Sequence, residues 1–380
     1  MIARTVMDRM TKYLFRGRVV SLLGARRVGK TTLVKELLRC YQEDRRTRYL
    51  SCDLLSVQQA LRNPEAERLK AYLGDHDLVV LDEAQNIEQI GRVLKILVDT
   101  YPEMQIIATG SSSFDLARKT GEPLTGRVYP FELFPLSLQE IDAGKGYNAV
   151  EPHIEHLLRF GSYPSIFGVS EDEARFQLQE LVSHYLYRDI LAYAGIRKSS
   201  VISNLVRLLA LQLGSEVSYS ELANATGLNR KTIINYIDLL EQSFIVFRLG
   251  AYSRNLRKEV TRSRKIYFYD VGVRNAILQA FAPLELRQDV GALWENFCIL
   301  ERLKLTSNNG FFVNRYFWRT YDQLEIDFIE ERDGQLTGFE FKYNPRKKYR
   351  FPRAFIDAYP ESALQRVDRR NYWRYLLTLE

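Results

Sequence analysis

The chain has 380 residues, 46% hydrophobic and 12% aromatic, with 54 Lys and Arg against 47 Asp and Glu. That length exceeds what one core usually supports, so two to four ordinary globular domains are expected. No charged-then-apolar signal segment stands at Met1, and no apolar stretch is long enough to span a bilayer. The three cysteines, Cys40, Cys52 and Cys298, have no metal-like spacing and no obvious pairing. A reducing cytoplasm without a membrane partner is the expectation. Charge is uneven along the chain: residues 1–197 hold 26 basic and 26 acidic side chains, 198–280 hold 12 and 6, and 281–380 hold 16 and 15. Nearly all of the formal +7 falls on the middle segment, which points to a polyanion partner.

The apolar run Val19-Val20-Ser21-Leu22-Leu23 predicts a strand, and the pattern after Thr31 predicts a helix. Between them Gly24-Ala25-Arg26-Arg27-Val28-Gly29-Lys30-Thr31 fits G-x-x-x-x-G-K-[ST], a loop whose backbone N–H groups turn inward around a triphosphate. Lys30 is expected to reach the β- and γ-phosphates of ATP, with Thr31 on Mg²⁺ and Thr32 opening the helix. Leu78-Val79-Val80-Leu81 reads as a strand buried on both faces that ends in Asp82 and Glu83. Asp82 suits Mg²⁺ through its waters, and Glu83 suits the base that orients an attacking water. A further strand, Gln105–Gly110, ends in Ser111-Ser112-Ser113. Thr109 or Ser111 is placed to bond the γ-phosphate or the lytic water, the part played by sensor 1 in AAA-type ATPases.

Pro130–Leu136 reads as the last strand of this core, and Arg127 precedes it. Arg127 is a candidate arginine finger for a neighbouring subunit or a sensor in its own, against the plain reading of a surface arginine. Residues 138–197 read as mainly helical and similar to the helical lid that follows the core in AAA-type ATPases.

In the basic segment, Ser218-Tyr219-Ser220-Glu221 forms a capping box that opens one helix, Thr226-Gly227-Leu228 makes a turn, and Asn229 caps a second helix over Arg230–Glu241. Ile233, Ile237 and Leu240 predict its buried stripe and leave Arg230, Lys231 and Asn235 outward. This is the pattern of a helix-turn-helix. Strands over Phe244–Leu249 and Lys265–Tyr269 are expected to close a wing, with Arg254, Arg257, Lys258, Arg262 and Arg264 in a loop suited to DNA phosphates. Docking of a protein partner is the competing reading of the same module.

Near the C-terminus, Leu324–Ile329 and Phe339–Lys342 alternate apolar and charged residues around the turn signal Asp333-Gly334. The register this implies opposes Asp327 to Glu340 and Glu325 to Lys342, with Ile326, Phe328, Phe339 and Phe341 on the other face. Directly opposed carboxylates need a counter-charge, and a divalent metal on Asp327 and Glu340 would supply one. A solvated hairpin face with a weak Glu325–Lys342 pair is the alternative.

Taken together, Gly24–Thr31, Leu81-Asp82-Glu83-Ala84-Gln85, Thr109–Ser113, Gly126-Arg127, Phe134-Pro135-Leu136-Ser137, Gly161-Ser162-Tyr163-Pro164, Tyr267–Gly272, Gly291–Asn296 and Glu325–Phe328 resemble a prokaryotic ATPase family of the AAA superfamily. Its C-terminal region is catalogued as of unknown function. That region resembles the PD-(D/E)xK nuclease fold: Asp327, Glu340 and Lys342 match its pattern, and the resemblance makes Glu295 the upstream acid and a metal ligand. Ile326 stands where the pattern has proline. The fold expected is α/β: a P-loop core of AAA type over 1–137, a helical lid over 138–197, a winged helix over 198–282 and a nuclease-like domain over 283–380. The leading function is a Mg²⁺-dependent, DNA-associated ATPase. An ATP-controlled switch acting on protein partners and an ATP-gated nuclease are the others, and a homo-oligomer stays open.

Overall fold

Five strands, β1 (Val19–Leu23), β2 (Thr47–Ser51), β3 (Leu78–Asp82), β4 (Gln105–Gly110) and β5 (Val128–Glu132), form a wholly parallel sheet in the order β2-β3-β4-β1-β5 in the computed structural model. Every residue of β3 and β4 is buried, as continuous apolar runs require when helices cover both faces. Val19, Val79, Leu81 and Ile106 pack with Val57, Leu61, Leu69, Leu73, Val93 and Leu97 from the helices Leu55–Leu61, Ala66–Leu73 and Ile90–Thr100. The alternate residues Val20, Leu22, Val80 and Ile107 are equally buried. The structure describes residues 2–111, 124–143, 146–186, 199–253 and 264–379. Ser112, Ser113, Arg254, Arg257, Lys258 and Arg262 lie outside the described residues.

The chain divides into two units, Met1–Phe134 with Gln242–Phe244, and Pro135–Glu241 with Ile245–Glu380. The helices expected to form a lid (Leu138–Asp142, Tyr147–Val150, Ile154–Phe160 and Glu171–Glu180) belong to the second unit. Buried polar side chains hold them there. Glu301 accepts the Leu138 N–H at 2.7 Å, and Lys304 donates to Leu136 O at 2.9 Å and to Ser162 Oγ at 3.0 Å. Asn275 donates to the carbonyls of Leu158 and Arg159, closing the end of the helix Ile154–Phe160. Gly161 and Gly272 owe their identity to this joint. A Cβ on Gly272 would lie 2.0 Å from Phe160 O, and one on Gly161, at φ +77°, would lie 2.0 Å from the Asp270 carboxylate.

The helix pair Tyr219–Thr226 and Arg230–Gln242 forms as expected. Ser218 accepts the Glu221 N–H at 3.3 Å, Gly227 turns the chain at φ +70°, and Asn229 accepts the Thr232 N–H at 2.8 Å. Ile233, Ile237 and Leu240 are its buried stripe. The strands β7 (Val246–Ala251) and β8 (Arg264–Phe268) do not stop at a wing. With β6 (Glu216–Val217), β9 (Asn314–Arg319), β10 (Glu325–Arg332), β11 (Gln335–Phe341) and β12 (Ala363–Val367) they form one seven-stranded sheet, ordered β12-β11-β10-β9-β7-β8-β6. The parallel β7–β9 pairing carries that sheet across the expected boundary at 282/283.

The β10–β11 hairpin has the expected register, with Phe328 opposite Phe339 and the turn at Asp333-Gly334. Its two faces differ from the expectation. An irregularity in the β9–β10 ladder between Ile326 and Ile329 lets both isoleucines pack with Trp318 and Phe355. Phe328, Phe339 and Phe341 stack together separately. Both faces of the hairpin are therefore buried, and large apolar residues are not confined to one.

Candidate functional site

The end of β1 enters the glycine loop against backbone. A Cβ on Gly24 would sit 2.2 Å from Leu133 O, so no side chain fits there. The loop closes through Arg27 and Gly29 in the left-handed region, φ 61° and 101°, and Gly29 caps the helix Lys30–Tyr41. Lys30 is 4% exposed, and its ammonium donates to Gly24 O at 2.9 Å and Ala25 O at 3.0 Å. Burial lowers its pKa, an effect opposed by Glu83 and Asp82. Arg4 braces the loop from outside, donating to Val28 O at 2.8 Å and to Phe134 O.

The carboxylates join this loop at the carboxyl ends of parallel strands, where open α/β sheets bind ligands. Thr31 Oγ1 donates to Asp82 Oδ2 at 2.7 Å. Thr109 Oγ1 donates to Asp82 Oδ1 and accepts the Glu83 N–H at 3.0 Å. Glu83 is held at φ 54°, ψ 46°, with Oε1 3.9 Å from Lys30 Nζ. Gln85 Nε2 bridges Glu83 Oε2 and Ser111 Oγ, the latter at 3.1 Å. The structure thus brings Lys30, Thr31, Asp82, Glu83, Thr109 and Ser111 together. The paired Thr31 hydroxyl and Asp82 carboxylate are the hard oxygen donors that Mg²⁺ takes.

Two further groups were not singled out from sequence. Gln85 is one. The other is Tyr49 on β2, whose hydroxyl donates to Asp82 Oδ2 at 2.6 Å and whose pKa is raised by burial and by Asp82. Of the three readings of Arg127, the sensor in its own chain does not fit. The arginine precedes β5, at the end of the sheet opposite the loop, and pairs with Asp99 at 2.7 Å. Parallel pairing of β1 and β5 puts the start of both strands on the far side, so Arg127 does not sense nucleotide in its own chain.

In the basic segment Arg230, Lys231 and Asn235 are exposed near the start of the second helix. Arg264 lies in β8 rather than in a loop, half-buried with its guanidinium against Gly250.

The C-terminal acids assemble around lysines. Lys265 of β8, 1% exposed, lies with Nζ 3.2 Å from Glu295 Oε1 and also pairs with Glu325. Tyr267 donates to the same Glu295 Oε1 at 2.6 Å. Lys342 pairs with Glu340 and lies 3.4 Å from Asp327 Oδ2, which also accepts the Phe341 N–H at 2.9 Å. Burial and the charge of Asp327 push both Glu295 and Glu340 up to about 7. Burial alone would lower Lys265, but Glu295, Glu325 and Asp327 outweigh it and raise the ammonium above its ordinary value. Among the described residues no three His, Cys, Asp or Glu side chains converge as a metal-holding group. Of the expected cation ligands, Glu295 is paired with Lys265, and Asp327 and Glu340 lie on Lys342. Lys265 and Tyr267 escaped the sequence reading because β8 was assigned to the wing. The same described residues contain no helix long and apolar enough to cross a membrane.

A parallel five-stranded sheet, a glycine loop closing on a buried lysine, and an acid pair at the neighbouring strand end define a P-loop nucleotide-binding core of AAA type. Residues 16–142 match the AAA domain family, residues 151–284 a domain of unknown function (DUF8612), and residues 290–375 another (DUF4143). An uncharacterized protein of Mycobacterium tuberculosis is 30% identical over 344 residues, spanning 89% of this chain and 73% of that protein. One from Methanocaldococcus jannaschii is 24% identical over 389 residues, spanning 93% and 82%. The chain belongs to the family these relatives share, AAA-superfamily P-loop ATPases with a C-terminal domain of unknown function. Similar solved structures include a DNA replication initiation factor (17% identity, TM-score 0.28) and AMPPCP-bound DnaA from Aquifex aeolicus (16%, TM-score 0.29), each spanning 73% of this chain and 92% of the other. Scores this low leave the family assignment to the sequence relatives.

Proposed function

We propose that the chain hydrolyses ATP with Mg²⁺ and associates with DNA through the helix pair Tyr219–Gln242. One observation carries the hydrolysis: the unbroken hydrogen-bonded path Thr31–Asp82–Thr109–Glu83, which ties the phosphate loop to a carboxylate in a forced backbone conformation. Lys30 exchanges the carbonyls of Gly24 and Ala25 for β- and γ-phosphate oxygens. Thr31 and Asp82 are the residues that would hold Mg²⁺, which would supply positive charge to offset that of the phosphates. Glu83 orients and deprotonates the attacking water, with Gln85 fixing its carboxylate from Ser111. Three features support the DNA association: the net positive charge of residues 198–280, the outward Arg230 and Lys231, and a second helix whose N-terminal end is free of acids. The C-terminal face enters this reading without a metal-dependent cleavage step.

Steady-state hydrolysis and nucleotide binding test the core of the proposal. Lys30→Ala should weaken ATP binding, whereas Glu83→Gln should bind ATP normally and turn over roughly 10²-fold more slowly. A Glu83→Gln chain that hydrolyses at the wild-type rate removes Glu83 from the mechanism.

A further inference from the structure

We propose that Lys265 is the resident counter-cation of the C-terminal carboxylate face and makes that face independent of divalent metal. Four acids, Glu295, Glu325, Asp327 and Glu340, come from one helix and two strands; Lys265 comes from a fourth element, β8. Its Nζ lies 3.2 Å from Glu295 Oε1 and also contacts Glu325, so one ammonium bridges an acid on the helix Val290–Asn308 and an acid on β10. Tyr267, two residues on and therefore on the same side of β8, donates to the same Glu295 oxygen at 2.6 Å. Arg319 adds a third positive charge, 3.6 Å from Glu325 Oε2. Asp327 and Glu340 have Lys342 between them.

A divalent ion entering beside Glu295 and Glu325 must displace a lysine that is 1% exposed. Leaving a buried ammonium unpaired costs far more than an exposed pair would. Glu340 Oε2 is buried without a hydrogen-bond partner, while its other oxygen pairs with Lys342. Asp327 and Glu340 are thus balanced by Lys342, and Glu295 and Glu325 by Lys265, from a strand that sequence reading assigns to a different domain. The face becomes a fixed ionic joint between β8, the helix Val290–Asn308 and the hairpin.

The test is isothermal titration of the full-length chain with MnCl₂, without nucleotide. Asp82→Asn is present in every sample so that the phosphate-loop acid does not contribute. The chain with Lys265 intact should show no saturable binding up to millimolar Mn²⁺. Lys265→Met should gain one site per chain, and adding Asp327→Asn should remove it. Saturable binding with Lys265 intact that disappears on Asp327→Asn overturns the proposal, and this arm decides alone if Lys265→Met does not fold. A folded Lys265→Met chain that takes up no Mn²⁺ also overturns it, because the ammonium is then not what excludes the cation.

Discussion

Thr109→Val isolates the link between the two acids of the nucleotide site. The hydroxyl of Thr109 accepts the Glu83 N–H at 3.0 Å and donates to Asp82, in a position with no solvent exposure. Valine keeps the shape and removes both bonds. An orphaned backbone N–H costs about 1–3 kcal/mol, and loss of a bond to a charged group costs about 1.5–3 kcal/mol. Both losses arise from one hydroxyl and do not add, so about 3 kcal/mol of stability should disappear from the first unit, read as a lowered thermal midpoint. Glu83 also loses what holds it at φ 54°, a conformation worth about 1–3 kcal/mol of strain. Its carboxylate then leaves the water, and kcat should fall by roughly 10²-fold. Affinity for ATP should change little, because Lys30 and the loop are untouched. Thr109→Ser restores the hydroxyl and should recover most of both effects. Wild-type turnover in Thr109→Val, or equal damage from serine, would refute the linkage.

Two further outcomes are expected. Arg230→Ala with Lys231→Ala should weaken duplex DNA binding for all sequences alike and flatten the log affinity against log salt plot by about 2, near 0.9 per lost phosphate contact; an unchanged slope moves the helix pair to protein docking. Glu295 sits at about 7 against an ordinary 4.5, so the folded chain binds more protons than the unfolded one between those values. Its contribution to stability therefore falls as pH rises from about 4.5 through about 7 and is constant above. Glu295→Gln should flatten the pH dependence of unfolding across that window, measured by chemical denaturation; an unaltered profile shows that Glu295 ionises normally.

Much of this protein is decided locally. Gly24, Gly29, Lys30 and Thr31 state a phosphate loop in eight residues, because a tight turn, a left-handed cap and a helix start leave few alternatives. The continuous apolar run before Asp82 states a strand buried on both faces, and Asp333-Gly334 states the hairpin register. Asn229, Gly227 and Ser218 state the helix pair, since caps and turns are bonds between near neighbours.

What required the tertiary structure is the set of pairings made by residues distant in sequence. Nothing near Lys265 reveals that it meets Glu295 and Glu325, because β10 joins β8 only through β7 and β9 in a shared sheet, and the helix Val290–Asn308 meets β8 only by packing on it. Asp270, Asn275, Glu301 and Lys304 read as ordinary polar helix residues, yet they bind the helices after Pro135 into the second unit. Arg127 looks like a candidate finger by its order after the sensor strand, and only the parallel sheet places it at the far end, on Asp99. Sequence patterns encode which face a residue occupies and where an element ends. They do not encode which distant charge will neutralise it, because loop closure puts little constraint on partners many residues apart, and packing alone makes that choice.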